Sequence, residues 1–130
     1  MLEKLSVLRE CDRVLKRGRP IAGYVIHIAP GVTKAKARRA AELGPSDVMA
    51  PASFETLTQA VGLTVVFSED VTAAFRTTCA ALADARRTLE DELRLEEGDE
   101  FYEEERRKKD SMLQGIDEGI LRRSFVVARK

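Results

Sequence analysis

The sequence predicts one α/β domain. Three apolar, strand-like runs are separated by amphipathic helical stretches, and two of the runs follow a helix and a glycine turn. The 130-residue length is that of one ordinary domain. A fold of this size buries roughly two-thirds of its unfolded surface, enough for a core without disulfide or metal staples.

Leu2 to Lys16 reads as the first helix, with Leu5, Leu8, Val14 and Leu15 on one side and Glu3, Lys4, Glu10, Arg13 and Lys16 on the other. Gly18 and Pro20 stop it. No capping residue stands ahead of this helix, so a preceding segment is expected upstream. Ile21 to Ile28 is nearly continuously apolar, the pattern of a strand covered on both faces, and Pro30-Gly31 ends it. Thr33 caps a basic helix to Leu43, closed by Gly44-Pro45. Ser53 caps Phe54 to Val61, Gly62 stops that helix, and Leu63 to Glu69 follows as a β-branched strand. Helix, glycine and strand in this order form the usual α-to-β step of an α/β unit. Asp70 or Thr72 caps a long helix to about Leu95, with a stripe of Phe75, Cys79, Leu82, Leu89 and Leu93. Gly98 breaks the pattern. Asp99 then caps a helix to Arg122, charged from Glu103 to Asp110 and apolar through Met112, Leu113, Ile116, Ile120 and Leu121. Ser124 to Lys130 is the last strand.

Composition removes several classes of function. Lys plus Arg and Asp plus Glu number 22 each, so the chain lacks the net positive charge expected of a nucleic-acid binder. The basic clusters Lys34 to Arg39 and Arg106 to Lys109 lie beside acidic runs. Cys11 and Cys79 stand far apart with only one histidine in the chain, too few Cys and His ligands for a tetrahedral zinc site. They are expected to be buried, reduced thiols in a cytoplasmic protein. No apolar run approaches the roughly 20 residues needed to cross a bilayer, and no signal peptide opens the chain. No membrane partner is expected.

Leu8 to Lys16, followed by Arg17-Gly18-Arg19-Pro20 and an apolar strand, resembles the Leu-Arg-Glu…Arg-Val-Leu-Lys-Pro-Gly-Gly segment of class I S-adenosylmethionine-dependent methyltransferases. There the segment is the helix that enters the fifth strand of a seven-stranded sheet. Phe54 to Ser68 resembles the next helix–strand unit, with Val61-Gly62-Leu63 at its turn, and Gly119 to Ala128 resembles the final antiparallel strand. The usual Pro-Gly-Gly is Arg17-Gly18-Arg19 here, with one turn glycine replaced. The resemblance implies the C-terminal portion of a Rossmann-like methyltransferase fold. It implies a three-stranded mixed sheet, in which two parallel strands flank a central antiparallel C-terminal strand, plus helices that include a long helical pair. Residues 1–130 would be a single partial methyltransferase domain, with 71–122 a helical insertion between the last two strands.

The same resemblance implies S-adenosylmethionine as cofactor and a small molecule as substrate, yet the cofactor motif is missing. Glycines at a strand–turn–helix junction let backbone approach the cofactor, and a carboxylate at the next strand end accepts from the ribose. The eight glycines at 18, 23, 31, 44, 62, 98, 115 and 119 are scattered and form no such turn. No cofactor-binding residue is assigned, and the chain alone is expected not to bind cofactor. The first four strands of the family sheet would lie upstream. The edge of Ile21 to Ile28 would then be open to the missing N-terminal half or to a second copy.

Ligands in open α/β sheets bind beyond the carboxyl ends of the parallel strands. That rule nominates His27, Asp70 and Phe75 as substrate-binding residues. His27 is also read as a hydrogen-bonded histidine at a strand end, Asp70 as a helix cap, and Phe75 as core. No catalytic residue is identified. The alternative functions are a small α/β protein-interaction module using its charged helix, and a subunit completing a split methyltransferase.

Overall fold

The computed structural model describes residues 3–49 and 52–130. Helix α1 (Lys4–Val14) leads into strand β1 (Pro20–Ile28), then α2 (Lys34–Leu43), α3 (Phe54–Ala60) and β2 (Thr64–Asp70). Three helices follow, α4 (Thr72–Thr88), α5 (Glu90–Glu97) and α6 (Asp99–Asp117), before the last strand, β3 (Leu121–Arg129). Two expected caps form, whereas Asp99, expected to cap α6, is its first residue, with Gly98 ahead of it and no side-chain cap. Thr33 Oγ1 accepts from Lys36 N at 3.2 Å and Ser53 Oγ from Thr56 N at 3.2 Å, each satisfying an amide that its helix leaves unpaired. No helix among the described residues is long and apolar enough to cross a membrane.

The sheet order is β1-β3-β2, with β3 in the middle as expected. The expectation of a mixed sheet is corrected: both ladders are antiparallel. β1 and β2 point the same way only because each opposes β3, and they never pair with one another. A bulge between Val65 and Phe67 adjusts the β2 register.

Directly opposed residues share a face. Val25, His27, Ser68, Asp70, Arg122, Ser124, Val126 and Ala128 therefore project to one side, and Tyr24, Ile26, Ile28, Phe67, Glu69, Leu121, Arg123, Phe125 and Val127 to the other. Helices α1 and α3 lie over the first side. The core sits on the second, where Ala40 of α2, Phe75 and Cys79 of α4, Ile116 of α6, Val48, Ile120 and Leu121 close on Ile26 and Ile28. Leu121 has no exposed surface.

The end of α6 differs most from expectation. The helix stops at Asp117 rather than Arg122, because Gly119 adopts φ 75°. Gly119 N bonds Ile116 O at 3.0 Å and Ile120 N bonds Gly115 O at 3.1 Å, closing the last turn. Ile120 and Leu121, read as helical core residues, instead lead into β3. The long helix expected to reach Leu95 breaks at Leu89 (φ −101°, ψ 20°). The α4 stripe is Phe75, Cys79 and Ala83, while Leu82 is 51% exposed.

The charged half of α6 is organised around Tyr102, which is 1% exposed. Its ring lies under Arg94 at 4.4 Å, and its hydroxyl donates to Arg86 O at 3.2 Å. Arg94 meets Glu90, Asp99 and Glu103 at 3.0, 3.1 and 2.5 Å. Arg86 grips Glu97 through two hydrogen bonds.

A methyl group at Gly115 would overlap the Leu121 side chain. Gly115→Ala is expected to lower stability by about 1–3 kcal/mol in urea unfolding, outweighing the roughly 1 kcal/mol that alanine gains in a helix. Adding Leu121→Val should recover part of that loss.

Candidate functional site

β1 and β2 both end where β3 begins, and a polar row crosses the sheet there on the α1/α3 side. His27 lies opposite Arg122, and Asp70 lies opposite Ser124. His27 Nε2 is 2.9 Å from Ser124 Oγ, and Nδ1 is 3.0 Å from Ile28 O. A carbonyl only accepts, so in the neutral ring Nδ1 carries the proton and Ser124 donates to the Nε2 lone pair. Backbone on one side and a hydroxyl on the other thus fix the imidazole.

A cavity of about 440 Å³ opens beside this pair, with His27, Ser68, Ser124, Lys4, Ser53 and Glu55 as polar lining and Val25, Phe54, Val65 and Val126 among its walls. Size and mostly apolar walls with a few convergent polar groups are those of a small-molecule site. Lys4 donates to Ile26 O at 3.0 Å and Val48 O at 3.5 Å. Burial lowers its pKa, partly offset by the Asp47 charge.

The three nominated residues are not brought together. His27 lines the cavity. Asp70 is on the same face, but its carboxylate accepts from Thr72 N at 2.9 Å at the start of α4 and pairs with Arg122 at 3.4 Å. The hydrogen bonds from Thr72 hold its carboxyl below the ordinary aspartate value, with the Arg122 and His27 charges adding to the effect against slight burial. Phe75 is 8% exposed in the core on the opposite face, where no substrate in this cavity reaches it. Ser124, Ser68 and Lys4 were missed. Serine in a strand carries little signal, and only the register of β3 sets Ser124 beside His27.

Cys79 is buried and Cys11 half-buried, both unpaired. Desolvation raises the Cys79 thiol pKa, opposed by the charges of Arg123 and Lys109.

The residues present do not fit S-adenosylmethionine. Among the described residues, β1, Pro30-Gly31 and α2 form a strand–turn–helix, but with one glycine and no parallel neighbour bearing an acid. Glu69 and Asp70, the acids at the end of β2, are two strands away from β1, and Asp70 is already engaged.

The fold as a whole has clear counterparts. A Galdieria sulphuraria protein assigned as a sarcosine dimethylglycine methyltransferase matches 98% of this chain at TM-score 0.81 and 19% identity. The chain carries part of a methyltransferase fold. Phosphoethanolamine N-methyltransferase 2 of Haemonchus contortus, solved with phosphomonomethylethanolamine and S-adenosylhomocysteine, matches 97% at TM-score 0.72 and 15% identity. The cyclopropane synthase MmaA2 of Mycobacterium tuberculosis matches 98% at TM-score 0.73 and 13% identity. The chain spans only 47%, 30% and 50% of these proteins, respectively. No protein-family model matches the chain, and no curated protein resembles it in sequence.

Ser124→Ala is expected to move His27 toward the Nε2–H tautomer, read by long-range ¹H–¹⁵N correlation, at a stability cost of roughly 0.5–1.5 kcal/mol. Asp70 contributes stability above its ordinary value of 3.8 and loses it as pH falls through its lower folded value. Asp70→Asn should therefore destabilise at neutral pH by a few tenths to about 1 kcal/mol, since the carboxylate is exposed. The gap between wild type and variant should close in acid, as chemical denaturation at several pH values would show.

Proposed function

We propose that this chain is the acceptor-side, C-terminal part of an S-adenosylmethionine-dependent methyltransferase that acts on a small molecule, and that it does not hold the methyl donor alone. One observation carries the reading: nearly the whole chain superposes on methyltransferase structures, yet it accounts for about half or less of each. Methyltransferase structures similar to this chain include complexes with S-adenosylmethionine or S-adenosylhomocysteine, whereas the described residues here have no Gly-rich strand–helix turn with an acid at the end of a neighbouring parallel strand.

In this reading the cavity beside His27 and Ser124 receives the acceptor. Apolar walls strip water from it, and the fixed Nε2–Ser124 pair orients a polar group against one wall. Transfer to an already nucleophilic atom depends mainly on such alignment. Free thiols at Cys11 and Cys79 fit a reducing, cytoplasmic setting. The second reading, a subunit that completes a split methyltransferase, is favoured by the free outer edge of β1 and by a second cleft of about 440 Å³ between α1 and that strand.

Calorimetric titration of the chain with S-adenosylmethionine is expected to give no saturable heat. Micromolar binding by the lone chain would overturn the claim that the donor site lies elsewhere. The in-frame nucleotides upstream of Met1, or an adjacent gene, should encode a strand followed by a Gly-rich turn. Finding it in neither place would overturn the partial-enzyme reading.

A further inference from the structure

The sheet face that carries the core is only half covered. Helices α2, α4 and α6 close over Ile26, Ile28 and Leu121, but among the described residues the other half of that face has no helix on it. There Tyr24, Phe125 and Phe67 form a row across all three strands, with ring centroids 5.4 and 6.2 Å apart. Tyr24 is 61% exposed and Phe67 50% exposed. Contiguous exposed aromatics on a flat sheet mark an interaction surface rather than the scattered apolar residues of an ordinary exterior.

Charge on the same face narrows the partner. Arg123 lies at the boundary of the covered and bare halves, its guanidinium 3.7 Å from the Tyr24 ring and 4.9 Å from the Phe75 ring. Its Nε is buried with no hydrogen-bond partner among the described residues. Its neighbour Arg122 has already taken Asp70 on the opposite side of the sheet. Glu69 is exposed, stands opposite Phe125 and lies diagonal to Arg123. The face thus holds an aromatic row with Arg123 and Glu69 beside it, between which no ion pair forms among the described residues, and with Arg129 at its far end, where it donates to Gly18 O at 3.2 Å.

We propose that the chain forms a symmetric dimer through this face. A twofold axis in the interface beside Phe125 brings each Arg123 toward the partner copy's Glu69 and packs the two aromatic rows together, the self-complementarity that a twofold contact requires. The chain's zero net charge adds no long-range repulsion between copies.

The test is sedimentation or light scattering of the whole chain over a concentration series. Wild type is expected to shift from monomer to dimer. Phe67→Ser and Tyr24→Ser, both at exposed positions, should each weaken association at least about tenfold, with circular dichroism unchanged. Glu69→Arg should weaken it to a similar degree, and more at low salt than at high salt. A chain that stays monomeric up to its solubility limit overturns the proposal. A dimer indifferent to Phe67→Ser and Glu69→Arg overturns it as well.

Discussion

The backbone ladder of residues 121–129 is the constraint on which the rest depends. β1 and β2 are hydrogen-bonded only to β3 and not to each other, so neither has a sheet until the last strand is in place between them. The ladder continues beyond the strands: Ala29 N bonds Ile120 O at 2.9 Å, Val71 N bonds Arg123 O at 2.8 Å, and Gly18 N bonds Lys130 O at 2.8 Å. These pairings join residues distant in sequence, so loop closure comes before the reward and folding is expected to be slow for the chain length. Leu121 shows how tightly the strand is seated. Gly44 and Gly115 both face its side chain, and neither position leaves room for a β-carbon at ordinary distance.

The same topology leaves β1 with an outer edge that no strand among the described residues covers. An apolar edge strand is a template for unwanted pairing, and the chain manages part of it internally. The Lys4 ammonium reaches across from α1 to the carbonyl of Ile26, so one outward acceptor is satisfied by a charge that a docking strand would have to displace. Farther along, Ala22, Gly23 and Tyr24 are exposed, and the cleft beneath α1 runs beside them. The edge is closed at its carboxyl end and open at its amino end.

Local chemistry made much of the fold legible. The stop at Gly62, the caps at Thr33 and Ser53, and the positions of β1 and β2 are encoded within a few residues and are present in the structure, but α1 already ends at Val14. β1, read as a strand covered on both faces, has no buried residue and is exposed at Ala22, Gly23 and Tyr24, because among the described residues its face and outer edge lack cover there. The central place of β3 and its direction came from likeness to a known sheet, not from periodicity. What failed was whatever depends on distant partners. Ile120 and Leu121 continue the α6 stripe in spacing, but Gly119 turns the chain and β1 claims Leu121 for the sheet. Leu82 fits the α4 stripe, yet the helix rotates so that Ala83 faces the core. Tyr102 sits in a run of charge that reads as a solvated surface; only the return of α5 across it, with Arg94 fanned onto three carboxylates, buries the ring. At the site, His27 stood out as the lone imidazole, whereas Ser124 acquired meaning only through the register that places it 2.9 Å away.

Stability and ligand capacity are divided between the two faces of the sheet. On one side α4 and α6 pack against each other and against β3, sealing Phe75, Cys79, Ile116 and Leu121, with the Tyr102 ion-pair network extending the order outward. That side requires nothing from another chain to hold its core, although its far half presents bare aromatic rings. On the other side α1 and the short α3 cover the strands loosely, leaving two clefts of about 440 Å³ each and the polar row of His27, Ser124 and Asp70. Interiors pack to crystal-like density when nothing else is meant to occupy them. The two clefts therefore mark the α1/α3 side as the one left for a small ligand, while the bare aromatic half of the other face is left for a second chain. The side with the better core keeps the chain folded while that space stays open.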